Sequence, residues 1–202
     1  MTEAPSESKF DKSNGYDQHA ETFMRIRNRR IGPSTVLEWS RSLPPGCSIL
    51  DLGCGNGVPI SEPLIEAGFR IFGVDASPNM IETFRQRFPN AESECAAAEE
   101  IAFSGRTFDA VLAWGLLFLL HPDQQRAVIQ KVASVLKPGG SFLFTASREP
   151  HRWNDSLTGQ ESISLGEEAY HQLLNSNGLT VTGHATDEGD NYYFSSVKSS
   201  AL

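Results

Sequence analysis

Three glycines at alternate positions, Gly53, Gly55 and Gly57, and one later aspartate, Asp75, are the residues here whose types and spacing bear most directly on chemistry. A glycine has no Cβ, so the chain can turn tightly and a ligand can lie against bare backbone. Asp75 closes the run Arg70-Ile71-Phe72-Gly73-Val74, and a carboxylate there can accept both hydroxyls of a ribose held over the turn. Spacing separates this pattern from its neighbours. The dinucleotide fingerprint G-x-G-x-x-G needs a glycine where Val58 stands, and no Gly-Lys-Ser/Thr follows to make a phosphate loop. Glycine turn and strand-end acid together read as an adenosine site, without evidence for pyrophosphate.

Elements of regular type must hold these groups in place. Ile49, Leu50 and Leu52 form a short apolar run, as in a strand buried on both faces. Pro59 suits the first turn of a helix running through Ala67, whose positive end would favour an anionic group. Ser77 and Pro78 read as N-cap and first position of the next helix. Strands follow at Ala91 to Cys95 and Phe108 to Ala113, then a helix over Pro122 to Leu136 with Val128, Val132 and Val135 on one stripe. Lys137 to Gly140 is a turn into a strand over Ser141 to Thr145. Residues 148–164 read as a polar connection, and Leu165 to Asn175 as the last helix. Strands at 179–185 and 191–198 close a hairpin. Upstream, Tyr16 to Arg30 is expected to be helical, with Tyr16, His19, Ala20 and Phe23 on one face, and Val36 to Leu43 forms a second helix. The arginines at 25, 27, 29 and 30 read as a solvated face. The alternation predicts an α/β fold, one parallel sheet with helices on both faces.

The run Ile49 to Gly57, the segment Val74-Asp75-Ala76-Ser77-Pro78-Asn79-Met80 and the turn Leu136-Lys137-Pro138-Gly139-Gly140 resemble class I S-adenosylmethionine-dependent methyltransferases, over about residues 10–198. The resemblance implies a Rossmann-like, seven-stranded sheet in the order 3-2-1-4-5-7-6 with the seventh strand antiparallel. It implies S-adenosyl-L-methionine as cofactor, S-adenosyl-L-homocysteine as product, and methyl transfer by in-line displacement. The cofactor-binding set it points to is Tyr16, Asp51, Gly53, Cys54, Gly55, Asp75, Ala76, Met80, Ala97, Ala98, Glu99 and Trp114. Tyr16 either closes over the cofactor or simply packs its helix down; Trp114 either walls the methionine part or is an ordinary packed indole. Two departures stand out. Many relatives carry Asp where Ala97 stands, to accept the adenine amino hydrogen, and Glu99 either replaces it or is an exposed helix-start acid. Many relatives also have histidine near the position of Phe118.

A methyl on a sulfonium has its leaving group built in, so the protein needs mainly to place the nucleophile on axis. No catalytic residue is therefore demanded; by position His151 and His121 are the weak candidates. The substrate pocket is expected from Phe118, Trp153, Asp187 and Tyr192, covered by 148–164, with an acidic rim suiting an apolar or weakly cationic molecule. At 202 residues the chain reads as a disordered lead over 1–13 and one methyltransferase domain over 14–202. The three cysteines include no C-x-x-C, arguing against a metal site, and Cys54 reads as packing rather than a nucleophile. A net charge of -8 argues against nucleic acid as partner. No membrane span or signal core is evident, so a cytoplasmic monomer or weak homodimer acting on a small molecule is expected. The acceptor atom, O, N, S or C, is left open. The alternatives are a non-catalytic cofactor-binding member of the fold and an NAD(P)-dependent oxidoreductase.

Overall fold

The computed structural model describes residues 11–199, so the expected lead lies outside the described residues as far as position 10. Asp11 already belongs to the folded part. Its carboxylate accepts the Ser13 N–H and O–H and the Gly15 N–H, an aspartate turn that starts the domain before residue 14.

The main sheet is built from β1 (Ser48–Leu52), β2 (Arg70–Asp75), β3 (Glu92–Cys95), β4 (Phe108–Ala113), β5 (Leu136–Thr145), β8 (Leu179–Thr186) and β9 (Tyr192–Lys198). Their order is β3-β2-β1-β4-β5-β9-β8, with β9 antiparallel to both neighbours. Strand residues alternate between two buried layers. Leu50 and Leu52 of β1 pack with Val128, Ile129 and Val132 of α5 (Pro122–Val135) and with Tyr170 and Leu174 of α6 (Glu167–Ser176). Ile49 faces the other way, toward α2 (Pro33–Ser40), α3 (Ser61–Glu66) and α4 (Pro78–Arg87), represented by Val36, Leu64, Ile81 and Phe84. Every helix except the short α1 (Ala20–Ile26) therefore covers one sheet face, which leaves the strand ends to bind ligand.

Four local expectations are corrected. The N-terminal helix is confined to Ala20–Ile26, because the Asp17 carboxylate accepts from Ser77 Oγ and Asn79 N at the start of α4, and Asn28 Oδ1 accepts the Arg30 N–H. Such side-chain bonds compete with helix hydrogen bonding. α3 starts at Ser61, not Pro59: bonds from Gly57 N to Cys54 O and from Glu62 N to Gly57 O occupy the backbone in between. At its start Ser61 Oγ donates to Asp51. The turn Lys137 to Gly140 lies inside β5 as a bulge, since Phe108 pairs with Leu136 but Ala110 pairs with Ser141. Residues 148–164 contain a second sheet, the antiparallel hairpin of β6 (His151–Asn154) and β7 (Glu161–Ser164). An aspartate turn at Asp155, accepting from Leu157 N and Thr158 N, joins its strands.

Candidate active site

A cavity of about 890 Å³ opens at the C-terminal ends of the parallel strands, and all twelve residues of the expected cofactor set border it. Its floor is the glycine turn. At Gly55 the backbone has φ +54°, and an added Cβ would meet nothing nearer than Met80 Sδ at 4.0 Å, so peptide rather than side chain faces the space. Beside it, Asp75 Oδ2 accepts the Gly55 N–H at 2.8 Å and Oδ1 accepts the Ser77 N–H at 2.8 Å. Burial raises the Asp75 carboxyl above its usual range, while those two N–H groups pull it down and Asp17 pushes it up. Both oxygens are fixed in direction with lone pairs to spare. Ser77 caps α4 through a bond from Met80 N to its Oγ at 3.1 Å, tying turn, acid and helix together.

Asp51 is almost fully buried and is held by the Ser61 hydroxyl at 2.6 Å. Burial pushes its carboxyl up to about 7, the Ser61 bond opposes this, and nearby Asp75 adds to it. Cys54 is buried among apolar neighbours, and burial with Asp51 and Asp75 keeps its thiol protonated, in keeping with packing.

Three residues bordering the cavity have a buried polar atom without a partner, Asn14 Nδ2, Glu99 Oε2 and Arg27 Nε. Glu99 Oε1 accepts from Gln124 Nε2 at 2.7 Å, whereas Oε2 is buried and unbonded. Gln124 is itself oriented by the start of α5, where its Oε1 accepts the His121 N–H. Arg27 stacks its guanidinium 4.0 Å from the Trp114 ring centre and 5.1 Å from that of Phe23, with Nε buried and unbonded. Burial lowers it to about 10, with Tyr16, Asp187 and Tyr193 opposing, so it remains a cation at neutral pH. The expected solvated face thus supplies a cavity residue. Its position four residues after Phe23, on one helical face, was the available signal.

Phe118, Trp153 and Tyr192 also border the cavity, the first two with ring centres 5.4 Å apart. Asp187 does not, which corrects its expected place on the rim. Its carboxylate is taken up by Gly189 N, Asn191 N, Asn191 Nδ2 and the Tyr193 hydroxyl. Tyr193 in turn accepts from Trp114 Nε1 at 2.6 Å, so the acid braces Trp114 from behind. Neither histidine candidate reaches the cavity wall. His121 caps α5 through a bond from Asp123 N to its Nδ1, and His151 stacks in the open on Trp153. Among the described residues, one group has metal-ligand spacing, Glu167, His171 and His184; none of the three borders the cavity, and Glu167 is already paired to Arg148.

The geometry has known counterparts. Residues 49–140 match the family described as "Methyltransferase domain". Over that segment the chain resembles the class I S-adenosylmethionine-dependent methyltransferases. It is 33% identical over 112 residues to an uncharacterized methyltransferase of Synechocystis sp., covering 55% of this chain and 52% of that one. It is 33% identical over 129 residues to the ubiquinone biosynthesis O-methyltransferase of Bartonella bacilliformis, covering 60% and 51%. The chain thus spans about half the length of these curated relatives. A solved structure, the 1,6-didemethyltoxoflavin-N1-methyltransferase of Burkholderia thailandensis with bound 1,6-didemethyltoxoflavin and S-adenosylhomocysteine, superposes with a TM-score of 0.74 at 19% identity, over 98% of this chain and 92% of that one. That likeness is one of fold. The residues bordering the cavity fit an adenosine-containing cofactor: bare backbone at Gly55, a fixed strand-end acid, and an acidic and a basic side chain, Glu99 and Arg27. No helix among the described residues is long and apolar enough to cross a membrane.

Proposed function

We propose that this chain transfers a methyl group from S-adenosylmethionine to a small-molecule acceptor by in-line displacement. The observation that carries the reading is the set of residues bordering a single cavity: Glu99, Asp75, the bare Gly55 peptide and Arg27. Those groups match an adenine amino donor, a ribose diol, a close-lying chain and an amino-acid carboxylate. When bound, the cofactor supplies an electrophilic methyl on a sulfonium whose sulfide is the leaving group. The protein's own residues do the rest. Asp75 accepts the ribose hydroxyls, Glu99 takes the role left open by Ala97, and Arg27 counters the carboxylate while the Trp114 ring holds it in place. The ring of Tyr16, edge-on to Phe23 at 5.3 Å, closes the methionine side. The aromatic end near Phe118, Trp153 and Tyr192 receives the acceptor and excludes water. The enzyme works on its small substrate in the cytosol, without nucleic acid or membrane, as a monomer or weak homodimer.

Calorimetry with S-adenosylhomocysteine and NAD tests this. Binding of the first and not the second is expected, and Asp75→Ala should weaken it by about 1.5–3 kcal/mol through loss of charge-assisted bonds. Tighter binding of NAD would overturn the reading.

A further inference from the structure

The Tyr16 hydroxyl and the Asp155 carboxylate form a polar pair that the proposed chemistry, which uses only the Tyr16 ring, leaves unassigned. Tyr16, before α1, donates its hydroxyl proton to Asp155 Oδ2 at 3.0 Å, across to the turn of the β6–β7 hairpin. Both residues border the cavity. The other oxygen of Asp155 is held by Leu157 N at 2.9 Å and Thr158 N at 2.8 Å, so the carboxylate cannot swing away. Although burial pushes it up, bonds from Thr158, Leu157 and Tyr16 keep this carboxyl below its usual range, so it is an anion at neutral pH. Burial and that anion hold the Tyr16 phenol above its usual range, so it keeps its proton. The edge contact with Phe23 fixes the ring, and Thr158 packs against Gly15, where an added Cβ would lie 3.2 Å from the threonine Cβ.

A phenol whose one proton is committed to a fixed anion can only accept from anything else. We propose that the Tyr16–Asp155 pair is the specificity element of the acceptor site, selecting a flat aromatic molecule that carries an O–H or N–H at the position to be methylated. This rests on the methyltransferase reading above. Tyr16 touches the acceptor, and Asp155 acts through it as a positioning residue. The acceptor donates its hydrogen to Tyr16 Oη, which leaves a lone pair of the same oxygen or nitrogen directed elsewhere, free for the reacting carbon. The rings of Phe118 and Trp153, tilted 45° to each other, and the side chains of Leu116, Leu120 and Leu157 give the molecule's body an apolar wall. As the oxygen takes the methyl group its proton passes to Tyr16 Oη, which gives its own to Asp155 Oδ2 and from there to solvent, so the methylated oxygen has no hydrogen left to donate. The same contact therefore disfavours the product.

The full-length protein, saturated with S-adenosylhomocysteine, is titrated with 2-naphthol and with 2-methoxynaphthalene, reading tryptophan fluorescence and heat. Wild type is expected to prefer the hydroxylated probe by on the order of tenfold, the value of one buried hydrogen bond. Tyr16→Phe keeps the ring and should bring that ratio close to one; Asp155→Ala, which frees the hydroxyl to rotate, should lower it to an intermediate value. Thermal melts of both variants confirm folding, and either folded variant suffices. Wild type without a preference, or binding neither probe, overturns the proposal, as does a ratio unchanged in the variants. A ratio unchanged while S-adenosylhomocysteine affinity falls shows that the pair faces the cofactor, and also overturns it. Failure of wild type to bind S-adenosylhomocysteine at all is a different result and removes the methyltransferase reading instead.

Discussion

The two halves of the cavity are made in different ways. The proposed cofactor half centres on one local unit, strand, glycine turn and strand-end acid, to which side chains such as Glu99 and Arg27 add. The acceptor half is assembled from side chains far apart in the chain: Tyr16 from before α1, Phe118 from the turn after β4, Trp153 and Asp155 from the hairpin, and Tyr192 from β9. A backbone-built site tolerates little change in its spacing, whereas a side-chain-built site can be altered one wall at a time. On the proposed assignment, ligand identity on the acceptor side is set by elements that the cofactor fold does not require.

The largest expected effect breaks the acceptor half alone. Replacing residues 152–162 by a short linker removes Trp153 and Asp155 and opens the aromatic end to water. Turnover of any accepted substrate should fall by about two orders of magnitude, while S-adenosylhomocysteine affinity stays within a few-fold. Full activity would show that the hairpin is ornament to the site, and an equal loss of cofactor affinity would erase the distinction between the halves.

What the sequence made legible follows the same division. The glycine spacing, Asp75, the Ser77 cap and the strand order were readable because each is a local signal or belongs to the family's shared frame. The hairpin was not, since Arg152, Asn154, Glu161 and Ser162 give no apolar alternation. Its strands are joined by a turn made by Asp155, with the exposed Arg152–Glu161 ion pair at 2.9 Å across them. Asp187 looked like a rim acid because sequence cannot show which way a carboxylate turns. Its hydrogen bonds to Asn191 and Tyr193 make it a brace instead. Arg27 was lost among the neighbouring arginines 25, 29 and 30, its spacing from Phe23 being a weak local sign of the packing against Trp114 that sets it apart.

A second, smaller test concerns that arginine, at the seam between the halves. Arg27→Met keeps the stem that packs on Trp114 and removes the charge. If the guanidinium counters a carboxylate, S-adenosylhomocysteine should bind roughly tenfold more weakly, and decarboxylated S-adenosylhomocysteine should bind both forms alike. Equal loss for the two ligands in calorimetry would mean that the variant has disturbed the wall rather than removed a charge partner.

The smallest effect separates the halves by the sign of their pH dependence. In the cofactor half, burial lifts Asp51 from an ordinary 3.8 to about 7. The folded state then binds that proton more tightly than the unfolded state does. Between about 4 and 7 it holds more protons, and stability falls as pH rises through that window. In the acceptor half the sign is opposite. Asp155 is held below 3.8, so its contribution is complete above that value and is lost as pH drops through the lower, folded one. Asp51→Asn keeps a partner for Ser61 and has no proton to lose. It should flatten the decline of the melting temperature between pH 4 and 7, raising the value at pH 7.5 by ~3 °C or more relative to wild type. Asp155→Asn should leave that slope alone and change the melting curve only on the acid side of pH 4. A wild-type melting temperature that does not decline from pH 4 to 7, or a decline that survives Asp51→Asn, would place the buried proton elsewhere and remove the electrostatic contrast between the two halves.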